Sequence, residues 1–263
     1  MGSATREAIA SAKAALAARG GSATLAAAEA LFSAGHIIGD SAQLQTALAD
    51  TSADVDAKNT LVQSVFGGLE ADALELLSEL VSSRWSEPSD LLAGIEEIAI
   101  RVAALSVDST VDISAELFAF GSAVSSNAEL ELAVASKLGD PAGKASLIDA
   151  LLKGKASGQT IAIIQHLVRQ PRGRRIGALL RFAAGVIADQ HERVIATVTV
   201  AAPLSDAQVK RLQAGLAKKY GAVRVNQVVD ASVIGGMRIA VGDVVIDDSV
   251  ATRMKELKLQ LAG

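Results

Sequence analysis

The 263-residue sequence contains no cysteine. That excludes disulfide scaffolds, cysteine-ligated zinc, iron–sulfur clusters and thiol chemistry. Aromatic residues make up 3% of the chain, with one Trp and one Tyr, so the stacking platforms of single-strand nucleic-acid binders are missing. Four Pro leave helices seldom interrupted. No apolar run approaches the ~20 residues that cross a bilayer. The longest charge-free stretch, 156–168, still carries Gln159, Gln165 and His166. The first residues lack the basic-then-apolar layout of a signal peptide. Met1-Gly2 is followed by Arg6 where myristoylation wants Ser or Thr. The expectation is a soluble, cytosolic protein that meets a membrane only through a partner.

What is present is aliphatic. Half of the residues are hydrophobic and mean hydropathy is +0.35, carried by Ala, Leu, Val and Ile. Ala forms helix most readily because it loses no side-chain entropy there, so tight helical packing is expected. The net charge of −4 hides a division. Residues 1–140 sum to −13 and residues 141–263 to +9, so the two ends should prefer partners of opposite sign.

An internal repeat organises the first two thirds. Shifted by about 86 residues, Leu31-Phe32 falls on Leu117-Phe118, Gly35 on Gly121 and Leu44 on Leu130. Asp54, Lys58, Leu61 and Gly68 fall on Asp140, Lys144, Leu147 and Gly154 without a gap. After the turns at 85–88 and 171–174 the offset grows by two, and Leu91-Leu92 meets Leu179-Leu180. Each copy parses into helices at 42–48 and 128–134, 56–66 and 141–152, 71–83 and 158–169, and 89–108 and 174–194. Lead-in helices are expected at 5–19 and 24–32, broken at Gly20-Gly21.

Past Arg193 the period becomes two. Val194, Ala196, Val198 and Val200 alternate with Ile195, Thr197 and Thr199, the pattern of a strand. Ser205 with Gln208 three residues on is a capping box. It opens a helix with Val209, Leu212 and Leu216 on one face, ended by Gly221. A strand at 223–229 follows, then a hairpin of 237–241 and 244–247 around Gly242-Asp243, and a last helix from Asp248 or Ser249. The fold class expected is α+β and predominantly α. It comprises helical units at 1–110 and 111–192 and a β-α-β-β-α domain at 193–263.

No catalytic constellation is present in the pattern. The stretch 139–145 has three residues between its glycines where a P-loop has four, and ends in Ala145 instead of a hydroxyl for Mg²⁺. It reads as a helix start. His36, His166 and His191 lack metal-ligand spacing. His166 stands in the register of Leu80, which favours packing over function. Arg169, Arg172, Arg174 and Arg175 crowd one turn. It reads as a solvated loop or as a grip for an acidic partner, with nucleic acid the lesser choice. No cofactor and no small-molecule substrate is expected.

The order Asp230-x-Ser232-Val233-Ile234-Gly235-Gly236, then Ile239, Gly242-Asp243 and Ile246-Asp247-Asp248-Ser249-Val250, resembles the delta (OSCP) subunit family of F-type ATP synthases. The likeness runs back through Pro203-Leu204-Ser205 to Asn127–Leu130, Lys144, Leu147 and Gly173-Arg174. Ala231 stands where the family usually has Pro and Ile234 where it has Leu. The extra helical unit resembles the longer, duplicated form found in actinobacteria. The resemblance implies a non-catalytic stator subunit on the cytoplasmic face of the plasma membrane, held there only through the complex. It implies that the chain joins the N-terminal helices of the alpha subunits to the C-terminal region of the b subunits. It marks Asp230, Gly235, Gly236, Gly242, Asp247 and Ser249 as structural motif residues, and leaves Arg169, Arg172, Arg174 and Arg175 as candidate partner contacts. The competing reading is a helical adaptor or nucleic-acid binder that uses the same basic turn.

Overall fold

The computed structural model describes residues 2–19, 23–108, 110–135, 141–191, 193–230, 233, 235–241, 244–247 and 254. The chain divides into two compact units, Met1–Ile187 and Ala188–Gly263.

In the first unit, α1 (Ser3–Ala18) precedes α2 (Leu25–Gly39), α3 (Ala42–Ala49), α4 (Val55–Phe66), α5 (Ala71–Ser82) and α6 (Pro88–Leu105). The second copy supplies α7 (Ile113–Ser126), α8 (Ala128–Ala135), α9 (Pro141–Leu152), α10 (Gly158–Arg169) and α11 (Ile176–Gln190). Shifted by about 86 residues, α3 and α4 fall on α8 and α9 with the same bounds. Several starts are capped by side chains, among them Thr24 to Ala27 N, Ser41 to Leu44 N, Asp112 to Ala115 N and Ser157 to Thr160 N. Two expected bounds move. The second lead-in helix, expected to end at Phe32, runs on to Gly39, because Ala34, Gly35, His36 and Ile38 are buried and hold the next turns in the core. The closing helix expected to reach 194 stops at Gln190, and strand structure begins at Arg193.

One hydrophobic core runs through both copies, from Ala8 and Leu31 to Ile163, Leu180 and Ile187. The helix α6 explains this continuity. It closes the first copy against α1, α2, α3 and α5, and it also packs on α10 of the second. The same shift carries α1 onto α6, and α1 packs on α5 as α6 packs on α10. Thus α6 closes one copy and leads the next. It is buried accordingly: between Leu91 and Ala104 only Ala93 escapes burial.

In the second unit, β1 (Arg193–Val200), α12 (Asp206–Tyr220), β2 (Ala222–Val229), β3 (Met237–Val241) and β4 (Val244–Asp247) form a sheet of order β2-β1-β3-β4. The crossover through α12 makes β1 and β2 parallel, while β1–β3 and β3–β4 are antiparallel. Ala196, Val198 and Val200 on β1, with Val223, Ile239 and Val241, pack on Leu216 of α12. The alternation read along β1 is therefore the inward face. The capping box is complete, with Ser205 and Gln208 bonded reciprocally. The last helix expected from Asp248 or Ser249 lies outside the described residues except for Met254, which is helical and exposed.

Candidate partner-binding surfaces and a buried polar joint

The basic turn is shaped by Pro171-Arg172-Gly173-Arg174, closed by Arg174 N–H donating to Pro171 O at 2.9 Å. Arg172 and Gly173 have φ of 47° and 76°, the left-handed pair of a type I′ turn. Gly173 adopts this freely, whereas Arg172 is strained by roughly 1–2 kcal/mol. An interaction elsewhere must hold it there.

That interaction lies inside the helical unit. Arg172 Nη2 donates to Glu96 Oε1 at 2.7 Å, and Arg174 Nη2 reaches both Glu96 oxygens at 2.8 and 2.9 Å. Glu96 comes from α6 of the first copy and its side chain is 1% exposed, too buried to carry charge without partners. The second face of the carboxylate meets His166 Nε2 at 3.3 Å, and His166 Nδ1 lies 2.9 Å from Nε2 of His36 on α2. Phe32 stacks on the His166 ring at 4.4 Å. Gln170 donates to the carbonyl of Gly35 at 3.2 Å. Every one of these contacts crosses from one helical copy to the other.

Electrostatics fixes the protonation. Burial opposes the Glu96 carboxylate, but the bond from His166, the charge of Arg172 and the hydrogen bond from Arg174 outweigh it and hold its pKa below the usual carboxylate range. Burial pushes His166 down; Glu96 draws it partly back, and the two guanidinium groups lower it further. Burial, then His166 and Arg169, push His36 down to about 3. With both imidazoles neutral, His36 Nε2–H donates to His166 Nδ1 and His166 Nε2–H donates to Glu96.

The four arginines of the turn therefore divide. Arg172 and Arg174 turn inward onto Glu96, and Arg174 also lies 5.4 Å from the Phe182 ring. Arg169 and Arg175 are exposed, with Arg169 3.9 Å from Asp40. A solvated loop, the plainer sequence reading, describes only the second pair. His166 is in the core as its register predicted, but with polar partners. Sequence reasoning missed Glu96 and the pairing with His36. A signal existed in the repeat. Glu96 stands where the second copy has Ala184, and His166 where the first has Leu80, so each polar residue breaks the symmetry at an inward position.

Among the motif residues of the second unit, Asp230 follows β2, with its N–H bonded to Val200 O and its carbonyl accepting from Val233 N. Gly235 and Gly236 have φ of 155° and 78° in the connection to β3, where a side chain would be strained. Asp247 lies opposite Arg238 in the β3–β4 ladder. Gly242 and Ser249 lie outside the described residues. The register Val241↔Val244 leaves the two residues expected for the hairpin turn. Beside the β2 edge, a groove of about 520 Å³ is lined by Lys210, Gln213, Ala217, Val223 and Arg224. A second, of about 420 Å³, runs along the other flank of α12 past Leu204, Leu212 and Met237. Both are open and shallow, suited to a partner's side chains rather than to an enclosed substrate. Among the described residues no group of His, Asp and Glu could hold a metal ion, and no helix is long and apolar enough to cross a membrane.

The comparisons agree with this architecture. The family model described as ATP synthase delta (OSCP) subunit matches residues 98–261, which spans the second helical copy and the α+β unit. A protein named ATP synthase subunit delta from Leifsonia xyli is 55% identical over 263 residues, covering both chains in full. Proteins of the same name from Streptomyces griseus and an Arthrobacter species are each 38% identical, the first covering all of both chains and the second 92% of each. The relatives thus share the duplicated length, and the adaptor and nucleic-acid readings give way. The chain belongs to the ATP synthase delta (OSCP) subunit family, and is a non-catalytic stator subunit of that synthase.

Proposed function

We propose that the helical unit grips N-terminal helices of alpha subunits and that the α+β unit grips the C-terminal region of the b subunits, at the cytoplasmic face of the plasma membrane. The observation that supports this best is the division of the chain into two units, each with its own hydrophobic core. A bridge that resists torque needs two independent grips, and a core behind each keeps its surface stiff.

The charge division follows the halves of the chain and not the two units. The −13 of residues 1–140 favours a basic partner face, and the +9 of the remainder, most of it within 141–187 of the helical unit, an acidic one. In the α+β unit, Lys210 and Arg224 edge the groove beside β2, with Ala214, Ala217 and Val223 as its apolar floor. An amphipathic helix with an acidic flank fits that lining. On the helical unit, Arg169 and Arg175 are the arginines of the basic turn offered to a partner, while Arg172 and Arg174 set the turn that displays them.

Two titrations of the full chain test the proposal, one with a peptide of the alpha N-terminus and one with the C-terminal domain of b. Lys210→Glu should weaken the second about tenfold and leave the first unchanged; a single charge pair at an interface carries roughly that. Equal loss in both, or in neither, contradicts the division of grips.

A further inference from the structure

In the second unit, α12 covers only part of the sheet face on which it packs. Directly opposed residues of an antiparallel pair share a face, so Val244 and Ile246 of β4 stand beside Val241 and Ile239 of β3. Those two β3 residues belong to the core under α12 and are buried, whereas Val244 is 48% exposed and Ile246 37%. Cover therefore ends between β3 and β4. The groove of about 420 Å³ lies on that side of α12, away from β2. It is lined by Met237 at the start of β3 and by Gln208, Leu212 and Gly215, which recur at helical spacing along one flank of α12. A glycine inside a helix costs about 1 kcal/mol relative to Ala. Among the described residues nothing lies within 4 Å of where a Gly215 Cβ would be, so no neighbour there accounts for it. A second helix laid along this flank would.

The chain supplies such a helix immediately after β4. Only Asp248 and Ser249 separate Asp247 from Val250. Val250, Met254, Leu257 and Leu261 fall within about 60° of one helix face. Met254 is helical and 54% exposed, an apolar side chain without cover. Direction and length also fit. β1 and β4 are each antiparallel to β3, so they run the same way, and α12 returns along β1 to begin the parallel strand β2. A chain leaving Asp247 thus starts at the end of the sheet where α12 starts, and a helix over 249–261 would extend about 20 Å beside it. The other face of β3 and β4 carries Arg238 and Asp247 with Ala240 and Val245, and offers an apolar stripe less to bury.

We propose that residues 249–261 of this chain form a helix that docks beside α12 and closes this groove, its apolar stripe turned onto Leu212, Gly215, Val244 and Ile246. Closure gives the small core a second covering helix. It also decides which groove is left to a partner: the one beside β2, edged by Lys210 and Arg224, stays open. That consequence rests on the reading of the α+β unit as the grip for the b subunits; the closure itself does not.

Hydrogen exchange on the full chain tests the closure, because a free helix of about 13 residues is marginal in water and exchanges fast. Amides of 250–261 should exchange at least about tenfold more slowly than in Leu257→Asp, and that variant should also speed exchange in β4. Leu259→Asp, on the opposite side of the helix, should change neither, and the helical unit serves as the folded standard. The lack of native cysteine lets disulfides report the position. On oxidation Leu212→Cys should join Met254→Cys or Leu257→Cys, two registers of the same stripe. Lys210→Cys, on the other flank of α12, should not join Met254→Cys. Both results should persist when the C-terminal domain of b is added. Fast exchange at 250–261 in the unmodified chain overturns the closure, as does protection without a disulfide to Leu212→Cys. Protection that appears only with the b domain overturns it too and gives the groove to the partner. A b domain that does not bind, while protection and disulfide are both present, counts against the b-subunit grip alone.

Discussion

Glu96 on α6 and His166 on α10 meet at 3.3 Å in the core of the helical unit, one from each copy of the repeat. Each replaces an apolar residue of the other copy, Ala184 and Leu80. A duplicated bundle could have joined its copies through hydrocarbon alone. Here a carboxylate, two imidazoles and two guanidinium groups join them, and such a polar cluster fixes a register that hydrophobic packing would leave free to slide. The joint suits a part whose task is to hold its shape under load.

Removing the carboxylate should be costly. Glu96→Ala leaves Arg172 and Arg174 without their acceptor and leaves Arg172 strained at positive φ. Loss of one partner from a buried ion pair costs about 3–5 kcal/mol. Urea unfolding of the full chain, followed by circular dichroism, should show that loss in the helical transition. A change under about 1 kcal/mol would mean that the cluster is solvated in solution.

Acid should loosen the same joint. Glu96 has a depressed pKa, so its contribution is complete above the unfolded carboxylate value and fades as pH falls through the lower folded value. His36 is depressed from 6.5 to about 3, so between those limits the unfolded state binds the extra proton and stability again falls as pH falls. His166, also lowered, acts in the same direction. Each fully engaged group contributes a slope of about 1.4 kcal/mol per pH unit. Unfolding free energy should therefore drop from about pH 6 downward, and His36→Leu should flatten the upper part of that profile. An unchanged slope in the variant would contradict a buried neutral His36.

The single Trp reports on packing in the first copy. Trp85 donates its indole N–H to Leu80 O at 2.8 Å and lies over Gly94, where an added Cβ would collide with the ring. Gly94→Ala should displace the indole, red-shift its emission and destabilise the unit by about 1–3 kcal/mol. Gly68→Ala, with nothing within 4 Å of its Cβ, should leave the emission unchanged.

In the second unit the capping box of α12 should matter disproportionately, because the described core there is small. Ser205→Ala removes the acceptor for Gln208 N–H and should cost about 0.5–2 kcal/mol. Hydrogen exchange should rise at the start of α12 and in β2, while the helical unit, with its own core, should keep its protection.

Much of this was written in residue order. The shared register of Gly35 with Gly121 and Lys58 with Lys144 exposed the repeat, because duplicated helices must close on the same small and apolar positions. The alternation at 194–200 and the capping box at Ser205 located β1 and the start of α12 within a residue. The buried joint was not legible. The run Ile95-Glu96-Glu97-Ile98 reads as an amphipathic helix with a solvated acidic edge, and only the packing of α10 on α6 turns that edge inward. The basic turn was legible as a turn, since Pro171 and Gly173 demand one. Where its guanidinium groups point depended on a carboxylate some 75 residues earlier, which no local pattern reveals.

The central claim is that this chain couples by holding and performs no chemistry. ATP hydrolysis and ATP-driven proton pumping, measured together on membranes depleted of the chain and then reconstituted with it, test that most directly. Depleted membranes should keep hydrolysing ATP while pumping collapses, and adding the chain back should restore pumping. Pumping that stays coupled to hydrolysis without the chain would contradict the account.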